Sequence, residues 1–130
     1  MKFEFNKDGI KKYYQQLCKR VNKVREKEVE ILLNELYTLS PKATGALASN
    51  YYCSVNGEQQ NFNPDKTSPT LIVPNFTIND TISVKNECPY LSYVNYGTSK
   101  QPPQNFIERS VVNTKFKLKS HLKQIGQTDY

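Results

Sequence analysis

The chain has 130 residues and a mass of 15.0 kDa, enough for one domain. Eighteen Lys+Arg against twelve Asp+Glu give a net charge of +6, which favours an acidic partner, while only 37% of residues are hydrophobic. No run of about 18 apolar residues spans a membrane, no apolar stretch near Met1 reads as a secretory signal, and Cys18, Cys53 and Cys88 lack the spacing of a disulfide framework or a zinc site.

The cysteine pattern fits maturation in a reducing cytoplasm. Charge is distributed unevenly along the chain. Residues 1–39 hold nine bases and six acids, residues 40–104 hold four of each, and residues 105–130 hold five bases and two acids. The ends are rich in Lys, Glu, Gln, Leu and Val, and the middle in Pro, Gly, Asn, Thr, Ser and Tyr. That order predicts helix, then strands, then helix.

The first element is a helix over residues 7–39. Ile10, Tyr14, Leu17, Val21, Val24, Leu32, Leu36 and Leu39 recur mostly in steps of three and four. Asn6 or Asp8 suits its start, and Ser40-Pro41 ends it because a residue before proline avoids the α region. At about 1.5 Å per residue such a helix is roughly 45 Å long, more than this domain needs, so part of it should project or lie along a neighbour.

The charge order of this helix is reversed. Residues 7–27 carry eight bases and two acids, and residues 28–39 carry three Glu and no base. The helix dipole favours acids first and bases last, so local stability did not select this arrangement. Lys11, Lys12, Lys19, Arg20, Lys23 and Arg25 are either a solvated face or a contact with an acidic neighbouring subunit or DNA phosphates.

The middle, residues 47–96, reads as short strands. Tyr51–Val55 is aromatic and β-branched, Leu71–Val73 is apolar and stops at Pro74, and Phe76, Ile78, Ile82 and Val84 alternate around a turn at Asn79-Asp80. A further strand is expected from Tyr90 to Tyr96, ending at Gly97. Residues 56–70 form a long polar loop in which Phe62 is almost the only side chain to bury. Pro102-Pro103 sets an extended entry to a last helix over residues 105–125, capped by Asn105 and stopped at Gly126. The expected fold is therefore α+β, a small mostly antiparallel sheet flanked by a long N-terminal helix and a C-terminal helix.

Nothing in the sequence supports catalysis. The one histidine, His121, lies among lysines near the C-terminus, the middle acids are unpaired, and no phosphate-cradling glycine loop occurs. The strand region has aromatics but no net charge, which weakens a nucleic-acid stacking platform. No metal or cofactor is called for.

Two local patterns remain. Thr44-Gly45-Ala46-Leu47 is a turn in which Thr44 caps, Gly45 frees the backbone and Leu47 anchors to the core. Pro89-Tyr90, then Tyr96-Gly97-Thr98-Ser99, then Gln101-Pro102-Pro103 precede the last helix. In order and spacing this pair resembles the neck or tail-completion proteins of long-tailed bacteriophages, the family that includes the minor tail protein Z type. The resemblance runs from about residue 5 to residue 120. Two positions depart from the family pattern: Leu91 replaces a small residue, and Asn95 stands where an acid is frequent.

The resemblance implies a non-catalytic virion protein that forms a homo-oligomeric ring, usually sixfold, between capsid connector and tail. It implies head-closure or connector proteins and tail-terminator or tail-tube proteins as neighbours, with channel DNA a further contact and no membrane. Its place would be the virion neck, after assembly in the host cytoplasm. Thr44, Gly45, Leu47, Phe62, Tyr90, Tyr96, Gly97, Ser99, Gln101 and Pro103 are then candidates for subunit contact or assembly. A tail-terminator ring of the same assembly and a small basic nucleic-acid-binding protein are the alternatives.

Overall fold

The computed structural model describes residues 7–42 and 45–126. The fold is α+β. A long helix α1 (Lys7–Leu39) is followed by a single turn α2 (Ala46–Ser49) and strand β1 (Tyr52–Val55). Strand β2 (Ile82–Lys85), a short helix α3 (Leu91–Tyr96) and helix α4 (Phe106–Gly126) complete it. β1 and β2 pair antiparallel, with Tyr52 opposite Lys85 and Val55 opposite Ile82.

α1 ends where Ser40-Pro41 requires. The Ser40 hydroxyl donates back to the Leu36 carbonyl and shares a hydrogen bond of 2.8 Å with the Tyr51 hydroxyl. Burial pushes the Tyr51 phenol up to about 12, so the pair stays neutral. The last turn of α1 has no base of its own. Lys42 supplies one from beyond the end, donating to the Thr38 carbonyl at 2.9 Å and to the Ser40 carbonyl at 3.2 Å. A cation at that end complements the helix dipole.

α4 runs antiparallel along the C-terminal half of α1. Lys117 and Asn113 donate to the carboxylate of buried Glu35, and His121 and Leu122 lie beside Lys23, Val24 and Lys27. The core sits below, where Val29, Leu33 and Leu36 of α1 meet Leu47, Tyr51, Cys53, Cys88 and Phe106. α1 has 33 residues and α4 has 21. Roughly the first dozen residues of α1, about 18 Å at 1.5 Å per residue, therefore run past the last turn of α4.

The middle departs from the sequence reading in three places. Tyr90–Tyr96 is not a strand: Leu91–Tyr96 is helical. Its apolar period is three to four rather than two. Leu91 and Val94 turn to the core and Asn95 is fully buried, while Tyr93 and Tyr96 face out. Leu71–Val73 and Phe76-Thr77 are irregular and join no sheet, and Ile78 already belongs to the following turn. Pro69 and Pro74 bracket the first, so it rests Leu71 and Val73 on the core without joining the sheet. The third concerns the start of α4, which is capped by Asn95 rather than Asn105. The Asn95 side-chain oxygen accepts the Ile107 N–H at 3.0 Å.

Other expectations hold. A turn falls at Asn79-Asp80, where Asp80 accepts the Thr77 N–H at 2.8 Å. Hydrogen bonds from Asn56 and Thr77 hold the Asp80 carboxyl below the usual carboxylate range. The 56–70 loop is tied down at Asn63, whose N–H donates to the Asn50 side chain at 2.9 Å while Asn50 donates back to its carbonyl. Phe62 packs against the core and meets Tyr90 edge-on, with ring centroids 6.1 Å apart.

Gly97 ends α3 with φ +81° and ψ 172°, a region open essentially to glycine alone. A Cβ there would stand 2.7 Å from the Pro103 nitrogen and 2.9 Å from the Gln101 carbonyl oxygen. Gly97→Val should lower stability by about 3 kcal/mol in a denaturant titration, through backbone strain and the clash together. Unchanged unfolding would refute this account of the Gly97 turn.

Charge-assisted bonds from Lys117, then Asn113, depress the Glu35 pKa against the opposing effect of burial. A depressed carboxylate contributes stability above its unfolded pKa and loses it as pH falls through the lower folded pKa. Wild type should therefore exceed Glu35→Gln in stability near pH 7. The gap should close as pH drops below the ordinary carboxylate range, read by denaturation at each pH; a gap independent of pH would contradict it.

Candidate assembly surface

Three surfaces carry the residues of interest. The first is the junction between α3 and α4. Tyr96 is open to solvent at the end of α3, and Gly97 turns the chain into a short loop closed by hydrogen bonds between Thr98 and Gln101. Ser99, Gln101 and Pro103 are exposed on this loop. The chain then returns beside α3: the Gln104 N–H donates to the Val94 carbonyl at 3.3 Å and the Asn105 N–H to the Asn95 carbonyl at 2.9 Å.

Asn95 joins the two helices. Beyond capping α4, its amide donates to both oxygens of the Glu108 carboxylate at 3.1 Å, and its side chain is fully buried. The family resemblance favours an acid at this position. Here an amide does what a carboxylate could not, because it donates to Glu108 while accepting from the backbone. Sequence reasoning placed Asn95 on a strand and missed this role. The helical spacing Leu91, Val94, Asn95 was the available signal.

The second surface is the free part of α1. Ile10, Tyr13, Tyr14, Leu17 and Val21 are open to solvent, with exposures from 37% to 66%. Ile10, Tyr14, Leu17 and Val21 continue the line that faces the core farther along the helix, so the same stripe is buried at one end and bare at the other. Lys11, Lys12, Lys19, Arg20 and Lys23 are exposed around it. Arg25 differs from these. It is half-buried and turned inward, donating to the Thr77, Ile78 and Asp80 carbonyls and lying 5.0 Å above the Phe76 ring. It fastens the 76–80 turn to α1, so its guanidinium is engaged within the subunit.

The third surface is the basic groove between α1 and α4, a cavity of about 400 Å³ lined by Arg20, Lys23, Lys27 and His121 with Glu26 and Glu30. Lys27 pairs with Glu30 at 3.5 Å, which leaves the groove mixed in sign.

The remaining sequence-predicted residues separate. Leu47 is buried and Gly45, at φ +83°, starts α2, so both serve the fold. Phe62 and Tyr90 form one aromatic contact at the loop base, with Tyr90 partly exposed. Thr44 lies outside the described residues. Among the described residues no group of three His, Cys, Asp or Glu is placed to hold a metal ion. Cys53 and Cys88 are buried, and burial pushes the Cys53 thiol up, away from the reactive thiolate. No described helix is long and apolar enough to cross a membrane. No family model, no curated protein and no solved structure matches the chain.

Replacing Asn95 by Ala leaves the Ile107 N–H and the Glu108 carboxylate without their buried partner. The cost should be about 2–4 kcal/mol. Circular dichroism should also show early loss of helix, from the start of α4. Wild-type stability in Asn95→Ala would contradict the assigned role.

Proposed function

We propose that the chain is a structural subunit of the neck of a long-tailed bacteriophage, forming a ring that completes the tail and joins it to the capsid connector. The observation that carries this reading is the arm of α1. Its apolar stripe is of core quality, yet among the described residues it stays open to solvent. Isolated helical segments of about a dozen residues are marginal in water, so such an arm calls for a neighbour. A ring supplies one to every subunit. The residues at Tyr96–Ser99 and Gln101–Pro103 that resemble the tail-completion family lie together on one exposed loop, as a contact surface would require.

The bases on the arm fit acidic faces of adjacent rings or the DNA that crosses the neck. A tail-terminator ring of the same assembly uses the same features. A separate reading, a small DNA-binding protein, draws on the basic groove at Arg20, Lys23, Lys27 and His121.

Light scattering and negative-stain imaging of the purified chain should show closed rings, or monomers that add to tail tubes. Heads and tails that join normally in the absence of this protein would defeat the neck reading. The charge-reversed variant Lys12→Glu/Lys19→Glu should fold with an unchanged melting temperature and lose most of its assembly yield. Full assembly would return these lysines to a solvated role. Tight, steeply salt-dependent binding of duplex DNA by isolated monomers would instead favour the DNA-binding reading.

A further inference from the structure

Of the thirteen asparagines in the chain, Asn56 alone is followed by glycine. The pair makes an exposed tight turn at the end of β1. Asn56 has φ +55° and Gly57 φ +82°, and the Glu58 N–H donates to the Val55 carbonyl at 3.3 Å, the turn geometry that Asn-Gly favours. A Cβ on Gly57 would meet nothing within 4 Å, and among the described residues nothing accepts the Gly57 N–H. That backbone nitrogen is unhindered and faces water.

The Asn56 side chain, by contrast, is clasped. Its oxygen accepts the Thr81 N–H at 3.0 Å, and its nitrogen donates to an Asp80 carboxylate oxygen at 3.0 Å. Its backbone N–H donates to the Thr81 carbonyl at 2.7 Å. These bonds tie the end of β1 to the turn that Arg25 fastens to α1.

We propose that Asn56 is a site of spontaneous deamidation, held back by the clasp to Asp80 and Thr81 and released when that clasp opens. Hydroxide removes the Gly57 amide proton, and the nitrogen attacks the side-chain carbonyl carbon of Asn56. The bond from that carbon to the side-chain nitrogen breaks, and ammonia leaves with a proton from water. Water then adds to one carbonyl of the succinimide and opens it to aspartate or isoaspartate. One water is consumed, one ammonia is released, and nothing is oxidised or reduced. The carbonyl carbon must turn toward Gly57 to react, which the two side-chain bonds resist. The reaction is independent of the neck role.

The product undoes the clasp. Hydrogen bonds from Asn56 and Thr77 hold the Asp80 carboxyl below the usual range, so it is ionised at neutral pH. A carboxylate at position 56 still accepts from Thr81 but has no proton for Asp80. Two like charges then meet where a donor and an acceptor stood. The end of the sheet parts from the turn, which stays on α1 through Asn22 and Arg25.

The test incubates the full chain at pH 7 and pH 9, then maps residues 43–66 by tryptic digestion and fragmentation mass spectrometry. Asn56 should gain one mass unit, in proportion to hydroxide, ahead of Asn50, Asn61 and Asn63 on the same peptide. Asp80→Ala should react about fivefold faster than wild type, as loss of one such hydrogen bond implies, and the urea-unfolded chain faster still. Asn56→Asp should melt below wild type. Asn56→Asp/Asp80→Asn should recover most of that loss, because an amide at position 80 accepts the Thr77 N–H and donates back to position 56. An Asn56 that stays intact in every folded form while the unfolded chain reacts would overturn the site. Equal rates in Asp80→Ala and wild type would overturn the clasp as its gate, and a double variant no more stable than Asn56→Asp would overturn the assigned consequence.

Discussion

The structure depends on a mismatch in length. α4 has 21 residues and α1 has 33, and the two pack antiparallel with their register set by Lys117 and Asn113 on Glu35. That register places the last turns of α4 beside Lys23 and Val24, so the turns of α1 around Ile10–Leu17 are left exposed among the described residues. Glu35 is the strictest point of the pairing. Sliding α4 along α1 would leave this carboxylate without Lys117 and Asn113, which opposes a shift that would cover more of α1.

The core follows from the same register. Burial is concentrated where the second half of α1 meets the sheet and the first turn of α4, around Leu33 and Phe106, which are fully buried. The low hydrophobic content of the chain is thus adequate for half of α1 and inadequate for all of it. A two-stranded sheet is marginal alone, and here it gains stability by packing on a helix. The long connection between β1 and β2 is held by side chains rather than by a ladder: Asn50 on Asn63, Arg25 on the 77–80 carbonyls, and Asn56 on Thr81.

Much of this was legible in the sequence, and the limits are physical. The boundaries of α1 and the strand at Tyr51–Val55 follow from strong local signals, a stripe of thirty residues, Ser40-Pro41 and a β-branched run. The turn at Asn79-Asp80 does too. Tyr90–Tyr96 was misread because six residues hold fewer than two helical turns and three tyrosines suggest a strand. Arg25 and Asn95 could not be read from their neighbours. The partners of Arg25 lie 52–55 residues away, and Asn95 caps a helix that starts beyond a Pro-Pro turn. Local charge suggested that Arg25 faced outward, and tertiary contact turned it in.

The central claim is that one half of α1 is stabilised by its own subunit and the other half by a neighbour. Amide hydrogen exchange along α1, followed as a function of protein concentration, tests it most directly. Residues 29–36 should be protected at every concentration, because their burial is internal. Residues 10–21 should exchange rapidly in dilute solution and gain protection as subunits associate. Equal protection along the whole of α1, unchanged by concentration, would contradict the account.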